Sequence, residues 1–151
     1  MWLRRLLLPA CVLFWAAGAG AATLVYGNLL EVRGIAWQDG RLQMPLSRKK
    51  YADVRLLDRS LYQFLVSCQE EKCSFSPVGK EYNIFSLRAA KTRENMWIAQ
   101  VDVNGQLLIT FLIFKRADAF SIKPPDEVLF KDKGFLEAVE HSLKNQIKAH
   151  I

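Results

Sequence analysis

Apolar and polar positions alternate along two runs, 96–103 and 106–114, and Asn104-Gly105 stands between them. This arrangement predicts a β-hairpin, because a two-residue type I′ turn requires positive φ at both central residues, which Asn and Gly tolerate best. Counting outward from the turn pairs Val103 with Gln106, Val101 with Leu108, Ala99 with Thr110 and Trp97 with Leu112. Trp97, Val101, Leu108, Leu112 and Phe114 then share a core face. The opposite face carries Ile98, Gln100, Asp102, Leu107, Ile109, Phe111 and Ile113. It is apolar along its second strand and calls for a covering element.

The same counting finds a second hairpin over 29–46, turning at Asp39-Gly40, with Trp37 opposite Leu42, Ile35 opposite Met44 and Arg33 opposite Leu46. Pro45 cannot donate to a ladder, so its strand belongs at an edge. A basic loop follows at 47–50, then an extended stretch over 51–57. Asp58 is placed to cap a short helix whose apolar positions Leu61, Phe64, Leu65 and Cys68 recur at helical spacing. Cys73 opens another extended piece, Pro77 to Lys80 forms a turn, and 82–90 alternates again. Joined through 92–95 to the central hairpin, this last run makes a three-stranded meander.

Short strands are expected at 119–122 and 128–130, on either side of the Pro124-Pro125 break. From Asp132 a C-terminal helix is expected, with Phe135, Leu136, Val139, Leu143 and Ile147 on one stripe. That stripe suits the uncovered Ile98, Ile109, Phe111 side of the meander. The expected fold is α+β: an antiparallel sheet of two hairpins and a central meander, a C-terminal amphipathic helix on one face, and one short helix before a local disulfide.

Composition changes this picture mainly at the N-terminus. Arg4 and Arg5 precede an apolar run over 6–15 and small residues over 16–22, the pattern of an export signal with cleavage near Ala22. An uncleaved membrane anchor is the alternative, and it is the only membrane attachment the sequence suggests. Cys11 lies inside the apolar run, which argues against a lipidation site. The remaining 23–151 form one domain, since a chain of 151 residues with 51% hydrophobic content suffices for a single core. Removing 1–22 deletes two arginines and lowers the formal charge from +6 to +4. A balance so mild does not argue for nucleic acid, and export argues against it.

Two cysteines then remain, Cys68 and Cys73, in a chain bound for an oxidising compartment. They predict a disulfide that closes a short polar loop, worth about 2 kcal/mol. Four intervening residues do not suit a redox motif, and no further Cys or His stands near enough in sequence to suggest a metal site.

The catalytic inventory is thin. His141 and His150 are the two histidines, and no nucleophile elbow, zinc-binding His pair, phosphate loop or dinucleotide fingerprint occurs. No catalytic, cofactor-binding or metal residue is therefore assigned. The absence of an Asn-x-Ser/Thr sequon leans toward a bacterial envelope.

The resulting expectation is a periplasmic or secreted, non-enzymatic binding or accessory domain whose partner is an envelope protein or an anionic surface. A small envelope hydrolase using two distant carboxylates and a subunit assembling through strand edges are the alternatives. One surface follows from register. In a meander, the 91–95 turn and the exit after Phe114 lie at the same end, which gathers Lys91, Arg93, Lys115 and Arg116, with Arg88 as a candidate fifth. Such a rim either keeps the sheet soluble or binds phospholipid headgroups, an acidic glycan or an acidic protein patch.

Overall fold

A computed structural model describes residues 21–45 and 53–150. Residues 1–20, which carry most of the expected export signal, lie outside the described residues. So do Leu46, the basic loop at 47–50, and Tyr51 and Ala52. Within the described residues the fold is α+β, with ten strands in two sheets and two helices.

The first sheet contains β1 (Ala22–Tyr26), β2 (Leu30–Gln38), β3 (Arg41–Gln43), β5 (Lys72–Phe75) and β10 (Val128–Phe130). Its order is β10-β2-β1-β5, with β3 also pairing β2. The Asp39-Gly40 hairpin forms as counted, Trp37 opposite Leu42. Its ladder ends at Ala36 and Gln43, because Gly34 at φ +78 bends β2 and Ile35 pairs instead with Ala22 of β1. Strand β1 is an addition to the sequence reading. Ala22, Leu24 and Tyr26 alternate inward and Gly27-Asn28, with Gly27 at φ +55, turns the chain into β2, but the segment abuts the small-residue end of the apolar run, which hides it in the sequence.

The second sheet contains β4 (Val54–Leu56), β6 (Tyr82–Ala89), β7 (Met96–Val103), β8 (Leu107–Arg116) and β9 (Ala119–Lys123), ordered β4-β8-β7-β6 with β9 also on β8. The three-stranded meander is β6-β7-β8, but its register is one residue off the count. Val103 pairs with Leu107, Val101 with Ile109, Ala99 with Phe111 and Trp97 with Ile113. Asn104 and Gly105 do adopt positive φ, and Gln106 N–H closes the turn onto Val103 C=O at 3.0 Å. Gln106 leaves the ladder because it has other partners. Its carbonyl accepts from Leu57 N–H at 2.8 Å, and its side chain bonds Tyr26 and Asp58.

The slip redistributes the faces. Ala99, Val101, Val103, Leu107, Ile109, Phe111 and Ile113, each at most 1% exposed, form the core face, while Leu108, Leu112 and Phe114 move to the other side with Ile98. Burial of seven apolar side chains in one register outweighs the turn count, since a one-residue shift would reverse every one of them.

The two helices close this core. α1 (Arg59–Cys68) starts at Asp58, whose carboxylate accepts from Ser60 N–H, and buries Leu61 and Leu65. α2 (Lys133–Ala149) starts at Asp132, which accepts from Phe135 N–H at 3.0 Å, and buries Phe135, Val139, Leu143 and Ile147; Leu136 is half-buried at the edge of the stripe. The Tyr82 hydroxyl of β6 donates to Ala138 C=O of α2 at 3.1 Å, and the Tyr82 ring meets Phe135 edge-on at 5.6 Å. Phe135 continues through Phe130 of β10 to Phe111 of β8, so a run of aromatic contacts ties α2 to both sheets. The helix thus covers the Ile109 and Phe111 face as expected, but Ile98, grouped with them by the two-residue turn, lies on the opposite face.

Cys68 and Cys73 form the disulfide, with Cα atoms 6.0 Å apart. Gln69 in the left-handed region turns the chain after α1, and Glu71 C=O accepts from Thr23 N–H at 2.8 Å where the parallel β1–β5 ladder begins. No helix among the described residues is long and apolar enough to cross a membrane.

Candidate functional site: the cationic end of the second sheet

The 91–95 turn is closed by Ala90 N–H donating to Met96 C=O at 2.9 Å, with Asn95 at φ +55. Asn95 C=O accepts from Lys115 N–H at 2.9 Å, which fastens the end of β8 to this turn. Phe114 pairs with Met96, one residue from the Asn95 reached by the two-residue count, so the juxtaposition survives the slip in register. Lys91 and Arg93 in the turn therefore lie at the same end of the sheet as Lys115 and Arg116.

Alternation along β8 then divides the four. Phe114 and Arg116 project to one face and Lys115 to the other. The Arg93 guanidinium carbon sits 5.2 Å from the Phe114 ring centroid, on the Arg116 side of the sheet. Lys115 Nζ lies 5.9 Å from the Phe120 centroid, and Phe120 meets Trp97 edge-on at 6.2 Å. Lys91 is exposed in the turn. Arg88 pairs with Ile98 and so belongs to the Phe114 face, where it is already engaged by an interaction of its own.

A further cation escaped the sequence reading. Lys123 pairs with Leu112 across the β8–β9 ladder, and its Nζ lies 5.5 Å from the same Phe114 centroid. One ring thus holds two cations, Arg93 from the 91–95 turn and Lys123 from β9. The 119–122 alternation was legible, but only the ladder between β8 and β9 reveals which residue meets Phe114. Each such contact is worth about 0.5–1 kcal/mol at an exposed site, enough to orient a side chain without neutralising it.

No carboxylate lies within 4.0 Å of Lys91, Arg93, Lys115, Arg116 or Lys123 among the described residues. Basic groups elsewhere do have such partners: Lys80 with Asp132 at 2.6 Å, Lys131 with Glu31 at 2.8 Å and Arg33 with Glu31 at 3.7 Å. The Lys131 hydrogen bond holds the Glu31 carboxyl below its usual range, and Lys80 does the same for Asp132.

The opposite end of the sheet holds a polar cluster that sequence reasoning missed as a unit. Tyr26 of β1, fully buried, donates its hydroxyl to Gln106 Oε1 and accepts from Asn104 Nδ2 at 3.2 Å. Asn104 Nδ2 also donates to Gly79 C=O at 3.1 Å, and Asn104 Oδ1 accepts from Glu81 N–H at 2.7 Å. Gln106 Nε2 donates to Asp58 Oδ2 at 2.9 Å, and Asp58 also accepts from the Ser60 hydroxyl. Asn104 and Asp58 signalled a turn and a cap locally; nothing in the sequence signalled that Tyr26 would join them. Burial pushes the Tyr26 phenol up, and the Ser60 and Gln106 bonds pull the Asp58 carboxyl down. The phenol and the carboxylate are thereby tied to β1, the β7–β8 turn and the α1 cap, which they brace together.

A third feature, an open depression lined by Phe64, Ser67, Cys68, Glu70, Lys72 and Ser74, lies beside the disulfide. No group of three or more His, Cys, Asp or Glu residues that could hold a metal ion occurs among the described residues. No family model, curated protein or solved structure matches the chain.

Proposed function

We propose that this chain is an exported, non-enzymatic binding domain of the bacterial envelope that takes an anionic partner on the cationic end of its second sheet. The observation that carries the reading is the Arg93–Phe114–Lys123 stack, two cations oriented on one ring with no acid among the described residues within ion-pairing distance. Cations held in place but unneutralised are disposed toward an outside anion, and Arg adds the capacity for bidentate contact with carboxylate or phosphate. The disulfide and the N-terminal sequence pattern support a periplasmic or extracellular setting.

The test titrates the protein with soluble polyanions, polyphosphate and polyaspartate, and with anionic vesicles, at low and raised salt. Wild type should bind at least one of them with an affinity that falls as salt rises, and Arg93→Glu with Arg116→Glu should remove that binding while the thermal unfolding curve stays in place. Absence of binding to all of them, or equal binding by the double variant, rejects the reading.

One feature supports assembly through strand edges as a second reading. Among the described residues β6 pairs with β7 alone, and Phe85, at the shift in its register, is 67% exposed. Light scattering over a range of concentrations tests it: a mass that rises with concentration in wild type and not in Phe85→Asp favours assembly through that edge.

A further inference from the structure

We infer that the anionic partner is the surface of a phospholipid bilayer carrying anionic headgroups, met by the Phe114 face with Arg93, Arg116 and Lys123 leading. This deepens the anionic-partner reading and rests on it.

The first argument is that the aromatic faces at this end are occupied. Domains that bind single-stranded nucleic acid stack bases on open aromatic rings along a charged groove. Here Phe114 is covered by Arg93 and Lys123, while Phe120 carries Lys115 and meets Trp97. Both phenylalanine rings at this end already carry a cation. What the stack does offer is charged heads on apolar stems that lie against a hydrophobic support. That amphipathic arrangement suits the boundary between headgroups and acyl chains, where ammonium and guanidinium groups meet phosphates and the apolar parts rest below them.

The second argument is shape. The cations come from three separate segments: the 91–95 turn and the end of β8 meet at one end of the sheet, and Lys123 of β9, opposite Leu112, reaches back toward that end to the Phe114 ring. Half-buried Met96, Leu112 and Phe114 stand among them on the same face. The open depression beside the disulfide has no residue in common with this end. A bilayer surface needs no groove, only a cluster of cations presented together.

The third argument is the local charge. Arg93, Arg116 and Lys123 of the Phe114 face, with Lys91 in the turn and Lys115 on the other face adding to the field, are accompanied in these segments by two acids, Glu94 and Asp118. Juxtamembrane clusters of this kind are drawn to anionic leaflets, each basic residue adding to the attraction, and the attraction decays within a Debye length.

The experiment uses the protein recovered from its native compartment, with its N-terminus established by intact mass. It is floated with vesicles of phosphatidylglycerol and phosphatidylethanolamine, and separately with vesicles of phosphatidylcholine alone. Soluble polyphosphate and polyaspartate are titrated in parallel. Arg93→Glu/Lys123→Glu is compared with Arg41→Glu/Arg59→Glu, which changes the net charge equally at exposed sites on β3 and α1. Arg93→Gln/Lys123→Gln serves as a milder pair should the reversal unfold the protein.

Wild type should float with the anionic vesicles and not with phosphatidylcholine. The affinity should fall at least tenfold in Arg93→Glu/Lys123→Glu and at raised salt, and should stay within about threefold of wild type in the control pair. Equal loss in both pairs, or equal flotation on phosphatidylcholine, overturns the inference. Binding to a soluble polyanion without vesicle binding overturns it while leaving the anionic-partner reading intact. Binding to none of the ligands overturns both.

Discussion

The two ends of the second sheet invert each other's logic. At the Asn104 end, polar groups from β1, the β7–β8 turn, the 79–81 loop and the α1 cap satisfy one another, and Tyr26 at the centre is fully buried. At the Phe114 end, cations from the 91–95 turn and from β8 and β9 are oriented by aromatic rings, and no acid among the described residues pairs with them. One end spends its polar chemistry on holding elements together, and at the other the charge is what the proposed function assigns to a partner. Substitutions should therefore change stability at the first end and recognition at the second.

The largest effect is expected from Tyr26→Ala. It removes a fully buried aromatic that also stacks on Phe75 at 5.8 Å, and should cost about 3–5 kcal/mol in urea unfolding. A cost near zero would show that the Asn104 end is not a brace. Leu143→Ala, from the α2 stripe over the same core, should cost about 2–5 kcal/mol and provides the benchmark for a purely apolar site.

Tyr26→Phe keeps the packing and deletes the hydroxyl, leaving Gln106 Oε1 and Asn104 Nδ2 each short of a partner, for a loss of about 1–2 kcal/mol. The variant also carries a pH signature. The Tyr26 pKa is raised by burial, so the unfolded chain loses this proton first as pH rises. Stability is full below the unfolded tyrosine value near 10 and declines above it. That decline should shrink in Tyr26→Phe; an unchanged alkaline limb would mean that the phenol is not the group responsible.

On the acid side the sign reverses. The Asp58 and Asp132 carboxyls are lowered, chiefly by hydrogen bonds from Ser60 and from Lys80. Their contribution is present above the unfolded carboxylate value near 4 and is lost as pH falls below it. The urea midpoint should drop through that window, and less steeply in Asp58→Asn, which does not titrate and retains one acceptor oxygen for the Ser60 N–H of the cap.

The smallest stability effect belongs to the Phe114 end. Arg93→Ala and Lys123→Ala should each move unfolding by no more than about 1 kcal/mol. The pair should nevertheless remove most of the binding to an anionic partner. A large stability loss from either would make that end a second brace and erase the contrast.

Periodicity and turn chemistry reach far into this molecule because they act locally. Both helix caps, Asp58 and Asp132, were legible as polar residues just ahead of helical stripes, and both hairpin turns as Asn-Gly and Asp-Gly. The Cys68–Cys73 disulfide followed from two cysteines close in sequence. The rim was legible in part: Lys91, Arg93, Lys115 and Arg116 do lie at one end, since any register of a meander brings its alternate turns together.

Three things needed the tertiary structure, each because the deciding interaction is remote in sequence. The register of β7 on β8 shifted by one when Tyr26 and Asp58, 80 and 48 residues away, drew Gln106 out of the ladder. Strand β1 exists through its pairing with β2 and its parallel pairing with β5, neither of which leaves a mark on the five residues themselves. Lys123 reaches Phe114 only because β9 returns along β8. By itself the sequence determined which segments become strands and helices and where most of them turn. The tertiary structure decided which residues face one another, because burial of a whole face and satisfaction of distant polar groups outweigh the preference of any single turn.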